Sequence, residues 1–177
     1  DGQYPSRVRA FVMSPAFDVI VFGASGFTGR LVAEYLNARP GVGGELAWAM
    51  AGRNLAKLAE VRDGLGIAAT LPLVAADAAD ADSMDRLVRQ AKLVITTVGP
   101  YQHHGEHLIT ACARAGTDYV DLCGEPLWMA QMIPKLQGPA AASGARIVFS
   151  CGFDSIPFDL GVLYLQDEMQ RRFGAPA

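Results

Sequence analysis

From Phe17 onward, short apolar runs alternate with segments whose apolar residues return every three or four positions. The runs are "FDVIVFGA" (17–24), "ELAWAMAG" (45–52), "LPLVAAD" (71–77), "LVITTVGP" (93–100), "DYVDLCG" (118–124) and "RIVFSCG" (146–152). Each has the length of a strand, and several are apolar on both faces, as parallel strands covered by helices on both sides are.

The segments between them carry helical spacing. Leu31, Val32, Tyr35 and Leu36 form two i,i+4 pairs, and Leu55, Leu58, Val61 and Leu65 give a looser stripe behind Asn54. Met84, Leu87, Val88 and Ala91 repeat at i, i+3, i+4, i+7, with Asp82 as the expected N-cap. Leu108, Ala111, Cys112 and Ala115 share that spacing, and Gly116 stands where a helix stops. Met129, Met132, Ile133 and Leu136 predict a further helix, opened by Pro126 and ended by Gly138. The Ala-rich stretch 67–81 is biased in composition but still contains a plausible strand. Six strands joined by five crossover helices predict an α/β fold, a doubly wound parallel sheet of the Rossmann type in the order 3-2-1-4-5-6.

Composition narrows what this sheet serves. The chain has 177 residues, 51% hydrophobic and 19% charged, which suits one globular domain and is short for two. A formal net charge of -3 supplies no basic field, so no nucleic-acid partner is expected. No apolar run approaches the ~18–20 residues of a membrane span. Cys112, Cys123 and Cys151 are too few and too scattered for a disulfide framework and read as thiols in a reducing cytoplasm. Residues 1–12 show no period and precede Met13-Ser14-Pro15, so they read as a tag or upstream segment without signal-peptide character. The expected organisation is a dinucleotide-binding domain over 13–161 and a terminal helix over 162–177 that leads to a second domain.

The glycines after the first run suggest the chemistry. Gly23, Gly26 and Gly29 are spaced G-x-x-G-x-x-G between a predicted strand and a predicted helix. In such a turn one glycine bends the chain off the strand, one brings backbone close to a pyrophosphate, and one lets helix and sheet approach. Helix-terminal amides from Phe27, Thr28 and Gly29 to Arg30 would face the phosphates, and Ser25 and Thr28 can add hydroxyl donors.

Sites for NAD usually place a carboxylate at the end of the second strand, where it holds the ribose 2′-hydroxyl. Here that strand ends in "AGRN", and Arg53 stands roughly two dozen positions beyond the last glycine. A guanidinium grips a 2′-phosphate in bidentate fashion and stacks on adenine, so NADP is favoured over NAD. The bland reading of Arg53 is a solvated surface residue. Asp77 ends the third strand and either accepts from the adenine amine or caps the next helix. "TTVGPY" (96–101) ends the fourth strand, which places Thr97, Val98, Gly99, Pro100 and Tyr101 beneath the nicotinamide ribose.

Candidates for catalysis are weaker. Tyr101 either donates to a substrate carbonyl or packs the ring pocket. His103 and His107, at i, i+4, would make a metal pair on one helix, but solvated side chains at a helix start explain them as well, and no metal is expected. Asp121, Cys123 and Glu125 alternate onto one face and either meet the substrate at the cleft mouth or, for Glu125, favour the following helix start. Asp154 and Ser155 either line the active site or cap the final helix. No tyrosine is followed four positions later by lysine, and no G-x-S-x-G elbow occurs, so no acid-base pair can be named.

The segments "FDVIVFGASGFTGRLVAEYL", "AGRN", "TTVGPY", "AGTDYVDLCGE" and "GARIVFSCGFDSIPFDLG" together resemble the N-terminal NADP-binding domain of the saccharopine dehydrogenase-like oxidoreductases. Within that family the resemblance is strongest to the branch that includes the trans-acting enoyl reductases. It implies hydride transfer from NADPH, with the glycine loop, Arg53 and the 97–101 loop on the cofactor. The acceptor it implies is a small molecule or an acyl chain, either an imine or an acyl double bond. Members are longer than this chain and carry a second domain. The apolar residues of "FDLGVLYLQDEMQRRF" (158–173) then fit a face for that domain, or for a homodimer through the C-terminal region. The alternatives from other classes are a non-enzymatic NADP sensor and a metal-dependent hydrolase.

Overall fold

The computed structural model describes residues 15–39 and 44–176. The expected upstream segment 1–12 and the start at Met13 lie outside the described residues. Six parallel strands form one sheet in the order β3-β2-β1-β4-β5-β6, as the alternating pattern implies. They are β1 (Phe17–Phe22), β2 (Trp48–Gly52), β3 (Leu73–Ala75), β4 (Ala91–Thr96), β5 (Asp118–Val120) and β6 (Ile147–Val148). The helices are α1 (Phe27–Ala38), α2 (Leu55–Gly64), α3 (Ala81–Val88), α4 (Tyr101–His104), α5 (Glu106–Ala115), α6 (Pro126–Ser143) and α7 (Ile156–Phe173).

Each face of the sheet has its own core. On one face, Val19, Val21, Trp48 and Met50 pack with Ala33 of α1 and with Leu58 and Val61 of α2. On the other, Ile20, Phe22, Val94 and Tyr119 meet Met84 and Leu87 of α3, Leu108 and Cys112 of α5, and Met132 and Leu136 of α6. The strict alternation of Val19, Ile20, Val21 and Phe22 between the two clusters is why β1 is apolar over those positions.

Several details differ from the sequence pattern. Leu31 and Tyr35 are exposed, and α1 turns Gly29 and Ala33 to the core, with Val32 and Leu36 alongside. Asp80, not Asp82, caps α3; its Oδ1 accepts from the Asp82 amide at 3.0 Å. Ala91 opens β4 instead of closing that helix. Pro126 does start α6, but the helix passes through Gly138 and ends at Gly144, whose φ of 83° is left-handed. Pro134 and Pro139 sit inside it on the exposed side, where water can serve the carbonyls they leave unpaired. Meanwhile Met132 and Leu136 hold the other side to the core. Gly116 ends α5 in the left-handed region, as its position suggests.

α7 buries none of its residues. No helix among the described residues is long and apolar enough to cross a membrane.

Candidate functional site

The carboxyl ends of β1, β2, β3 and β4 open onto one cleft of about 290 Å³. Its first wall is the turn from β1 into α1. Gly23 takes a φ of +88°, and a Cβ there would stand 2.7 Å from Val98 Cγ2 and 2.8 Å from Thr97 Oγ1, so only glycine lets β4 close against the turn. The turn is pinned from β2: the Gly23 and Ala24 amides donate to the Ala51 carbonyl at 2.9 and 3.3 Å. The Gly26 amide donates back to the Gly23 carbonyl at 2.9 Å, and α1 then starts with no side-chain cap and no acidic residue in its first turn.

That open start contrasts with the two helices that follow. Asn54 caps α2 by accepting from the Lys57 amide at 3.0 Å, and Asp80 caps α3. The α1 terminus therefore keeps its partial positive charge for an anion.

Arg53 leaves β2 on the cleft wall with its side chain exposed, and forms no ion pair among the described residues. Asp77 faces the same cleft. It does not cap α3: its Oδ1 accepts from the Ala79 amide at 3.0 Å, and its own amide donates to Ser83 Oγ at 3.1 Å. The remaining wall is Thr97, Val98 and Gly99 after β4. Thr97 is anchored to β1 by its amide, which donates to the Phe22 carbonyl at 3.0 Å.

The expected residues Gly23, Ser25, Gly26, Arg53, Asp77, Thr97, Val98 and Gly99 thus surround one cavity. Phe27, Thr28, Gly29, Pro100 and Tyr101 lie outside its lining. Gly29 is buried beneath the turn, and Phe27 points its ring outward at 83% exposure. His104, the last residue of α4, lines the cleft and was not singled out by the sequence pattern; α4 and α5 meet at Gly105. That junction puts His103 and His107 on different helices, and no group of three or more metal-ligating side chains forms among the described residues.

Tyr101 does not offer its hydroxyl to a substrate. The phenol donates to the Thr96 carbonyl at 3.2 Å and accepts from the Leu122 amide at 3.3 Å, and burial pushes its pKa up. The ring lies against Trp128 with centroids 5.7 Å apart. Packing, not proton donation, is the role this geometry gives it.

Asp121 and Cys123 also turn inward, onto the helix-covered face. Asp121 accepts from Tyr119 Oη at 2.7 Å, from the Cys123 amide at 3.0 Å and from the Ser150 amide at 2.7 Å. Burial still raises its pKa, because desolvation outweighs those bonds. The Cys123 thiol is pushed up to about 11, again chiefly by burial, so it is not a nucleophile at neutral pH. Asp154 is exposed beside a separate shallow depression with Ser155, Phe158 and Val162, away from the cleft. Ser155 occupies the N-cap position of α7 but makes no capping bond.

The donor set fits a phosphorylated dinucleotide: uncapped helix amides and a glycine whose absent Cβ leaves room at the turn, a guanidinium on β2, and a carboxylate after β3.

Comparison with known proteins agrees. Residues 19–148 match the family model described as "Saccharopine dehydrogenase NADP binding domain". A trans-acting enoyl reductase of Mycobacterium bovis is 46% identical over 157 residues, which cover 86% of this chain and 37% of that protein. One from Mycobacterium ulcerans is 44% identical over 150 residues, covering 84% and 35%. The chain therefore spans little more than a third of the length of these relatives. Among solved structures, apo saccharopine dehydrogenase (L-Glu forming) from Saccharomyces cerevisiae superposes with a TM-score of 0.69 at 20% identity, over 88% of this chain and 32% of that one. Triphenylmethane reductase from Citrobacter sp., in complex with NADP(H), gives 0.56 at 17% identity, over 86% and 55%. At these identities the structures speak for the fold alone. The chain belongs to the saccharopine dehydrogenase NADP binding domain family, and its cofactor is NADP.

Proposed function

We propose that these residues form the cofactor-binding part of an NADPH-dependent reductase whose acceptor is an acyl double bond. The observation that carries this reading is the cleft at the strand ends, where the glycine turn, Arg53, Asp77 and the 97–99 loop meet. The α1 amides and Ser25 bind the pyrophosphate, and Arg53 binds the 2′-phosphate. Asp77 accepts from the adenine amine, and Val98 and Gly99 support the nicotinamide ribose. When bound, NADPH supplies the hydride.

An acyl double bond is preferred to an imine because the relatives at 44–46% identity are named trans-acting enoyl reductases. Neither catalytic candidate of the sequence reaches the cleft: Tyr101 is engaged inside the core and Asp154 lies beside a separate depression. We therefore assign these 177 residues cofactor binding, with slow turnover unless a further wall orients the acceptor and excludes water. The apolar surface of α7 supplies a face for such a wall.

The test is NADPH oxidation, followed by nicotinamide absorbance, with the full-length protein and α,β-unsaturated acyl thioesters or imines as acceptors. Consumption with the acyl acceptor supports the assignment. Consumption with the imine alone moves the acceptor class, and tight NADPH binding without consumption by any acceptor favours a cofactor sensor.

A further inference from the structure

Glu125 ends the segment that leaves β5, yet its carboxylate serves neither β5 nor α6, whose N-cap position it occupies without a capping bond. It reaches instead to the start of α4. Oε1 accepts from the Tyr101 amide at 2.7 Å and Oε2 from the Gln102 amide at 2.9 Å. These are first-turn amides of a helix whose own N-cap is Pro100, a residue with no side-chain acceptor.

The same two segments meet twice more. The Leu122 amide donates to Tyr101 Oη, which donates in turn to the Thr96 carbonyl. Trp128 packs on the Tyr101 ring, and it fits because Gly105 carries no side chain; a Cβ there would stand 2.7 Å from the Trp128 ring. The loop Thr97–Pro100 is therefore held from behind at both ends. Tyr101 fixes its origin at Thr96, and Glu125 fixes its exit into α4.

Thr97, Val98 and Gly99 are a wall of the cleft, while Glu125 is not among its lining residues. We propose that Glu125 is a positioning residue for the cofactor: it sets the loop after β4 against the nicotinamide half without touching the dinucleotide. This rests on the reading that the cleft holds NADP with that loop beneath the nicotinamide ribose. Two charge-assisted bonds to backbone amides are strong enough to matter, and their loss returns to the loop the freedom that binding must then remove.

The role is tested on this 177-residue chain by calorimetric titration with NADPH and with 2′,5′-ADP, which carries the adenosine and the 2′-phosphate but no nicotinamide. Glu125→Ala removes both acceptors; Glu125→Gln keeps the volume and one acceptor oxygen and carries the test if the alanine variant fails to fold. The expected result is a Kd for NADPH raised roughly tenfold in Glu125→Ala, and less in Glu125→Gln, with 2′,5′-ADP affinity held within about twofold. Equal weakening of both ligands, or no change for NADPH, overturns the role of Glu125. Wild-type chain that binds neither ligand overturns the cofactor reading and this role with it.

Discussion

Gly29 packs directly against Gly23 across the turn from β1 to α1: a Cβ on Gly29 would stand 2.2 Å from the Gly23 carbonyl oxygen and 2.7 Å from Ala24 Cα. Both atoms are backbone, so nothing nearby can swing aside. Gly26, between them in sequence, leaves 3.3 Å to the same carbonyl and has an extended φ of −79° that any residue adopts.

Two glycines of one motif therefore separate in their consequences. Gly29→Ala is expected to lower unfolding free energy by about 1–3 kcal/mol through overpacking, measured by urea titration. Gly26→Ala is expected to cost less, about 0.5–1 kcal/mol, because alanine is a poorer N-cap than glycine. Its methyl group would instead stand where backbone meets the pyrophosphate, and weaken NADPH binding by roughly tenfold or more. A stable Gly29→Ala would show that the turn is looser than its geometry.

Acid sensitivity follows from the strand ends. Asp118 opens β5 and accepts from the Arg146 amide at 2.8 Å and from Arg146 Nε at 2.9 Å. The Arg146 guanidinium holds the Asp118 carboxyl below its ordinary value of 3.8. Because the folded pKa lies under the unfolded one, the stabilisation is complete above about pH 5 and is lost as pH falls through the folded value. Arg146 is exposed to solvent, so screening keeps the contribution of the pair small. Asp118→Asn is expected to be less stable than wild type at pH 7 and to converge with it in thermal melts as pH falls below the folded pKa of Asp118. Parallel curves across that range would contradict the assignment.

The surface of α7 makes a third expectation. Phe158, Leu160, Val162, Leu163 and Leu165 are all more than half exposed. Exposed apolar side chains in this number bind apolar dyes and promote association in water. The 177-residue chain should therefore enhance the fluorescence of an anilinonaphthalene dye and elute as more than a monomer at high concentration. Phe158→Ser with Leu163→Ser should reduce both while shifting unfolding free energy by no more than about 0.5 kcal/mol, since neither side chain is in the core. A dye-silent monomer would show that this face is covered from within.

Much of this was legible in the chain, for identifiable reasons. The strand order follows from apolar runs separated by helical segments, because right-handed crossovers leave few other arrangements. The cleft residues follow from where such strands end. What escaped the pattern depends on distances that sequence does not carry. Glu125 reads as a cap for the helix it precedes, and its true partner is α4, which folding brings beside it. His104 draws no reading from the sequence, where His103 and His107 stand out by their spacing, and its place on the cleft shows only in the fold. Gly138 reads as a stop, but Ala140 beyond it packs on the same core as Met132 and Leu136, and α6 runs on to Ser143. Local propensity yielded there to tertiary packing.

Arg53 is the residue on which the preference for the phosphorylated cofactor turns. Calorimetric titration of wild type and Arg53→Asp with NADPH and with NADH measures that preference directly. Wild type should bind NADPH more tightly than NADH. The aspartate variant, which places a carboxylate where a 2′-phosphate would sit, should lose that preference by tenfold or more, with its fold intact. An unchanged preference for NADPH in Arg53→Asp would contradict the account.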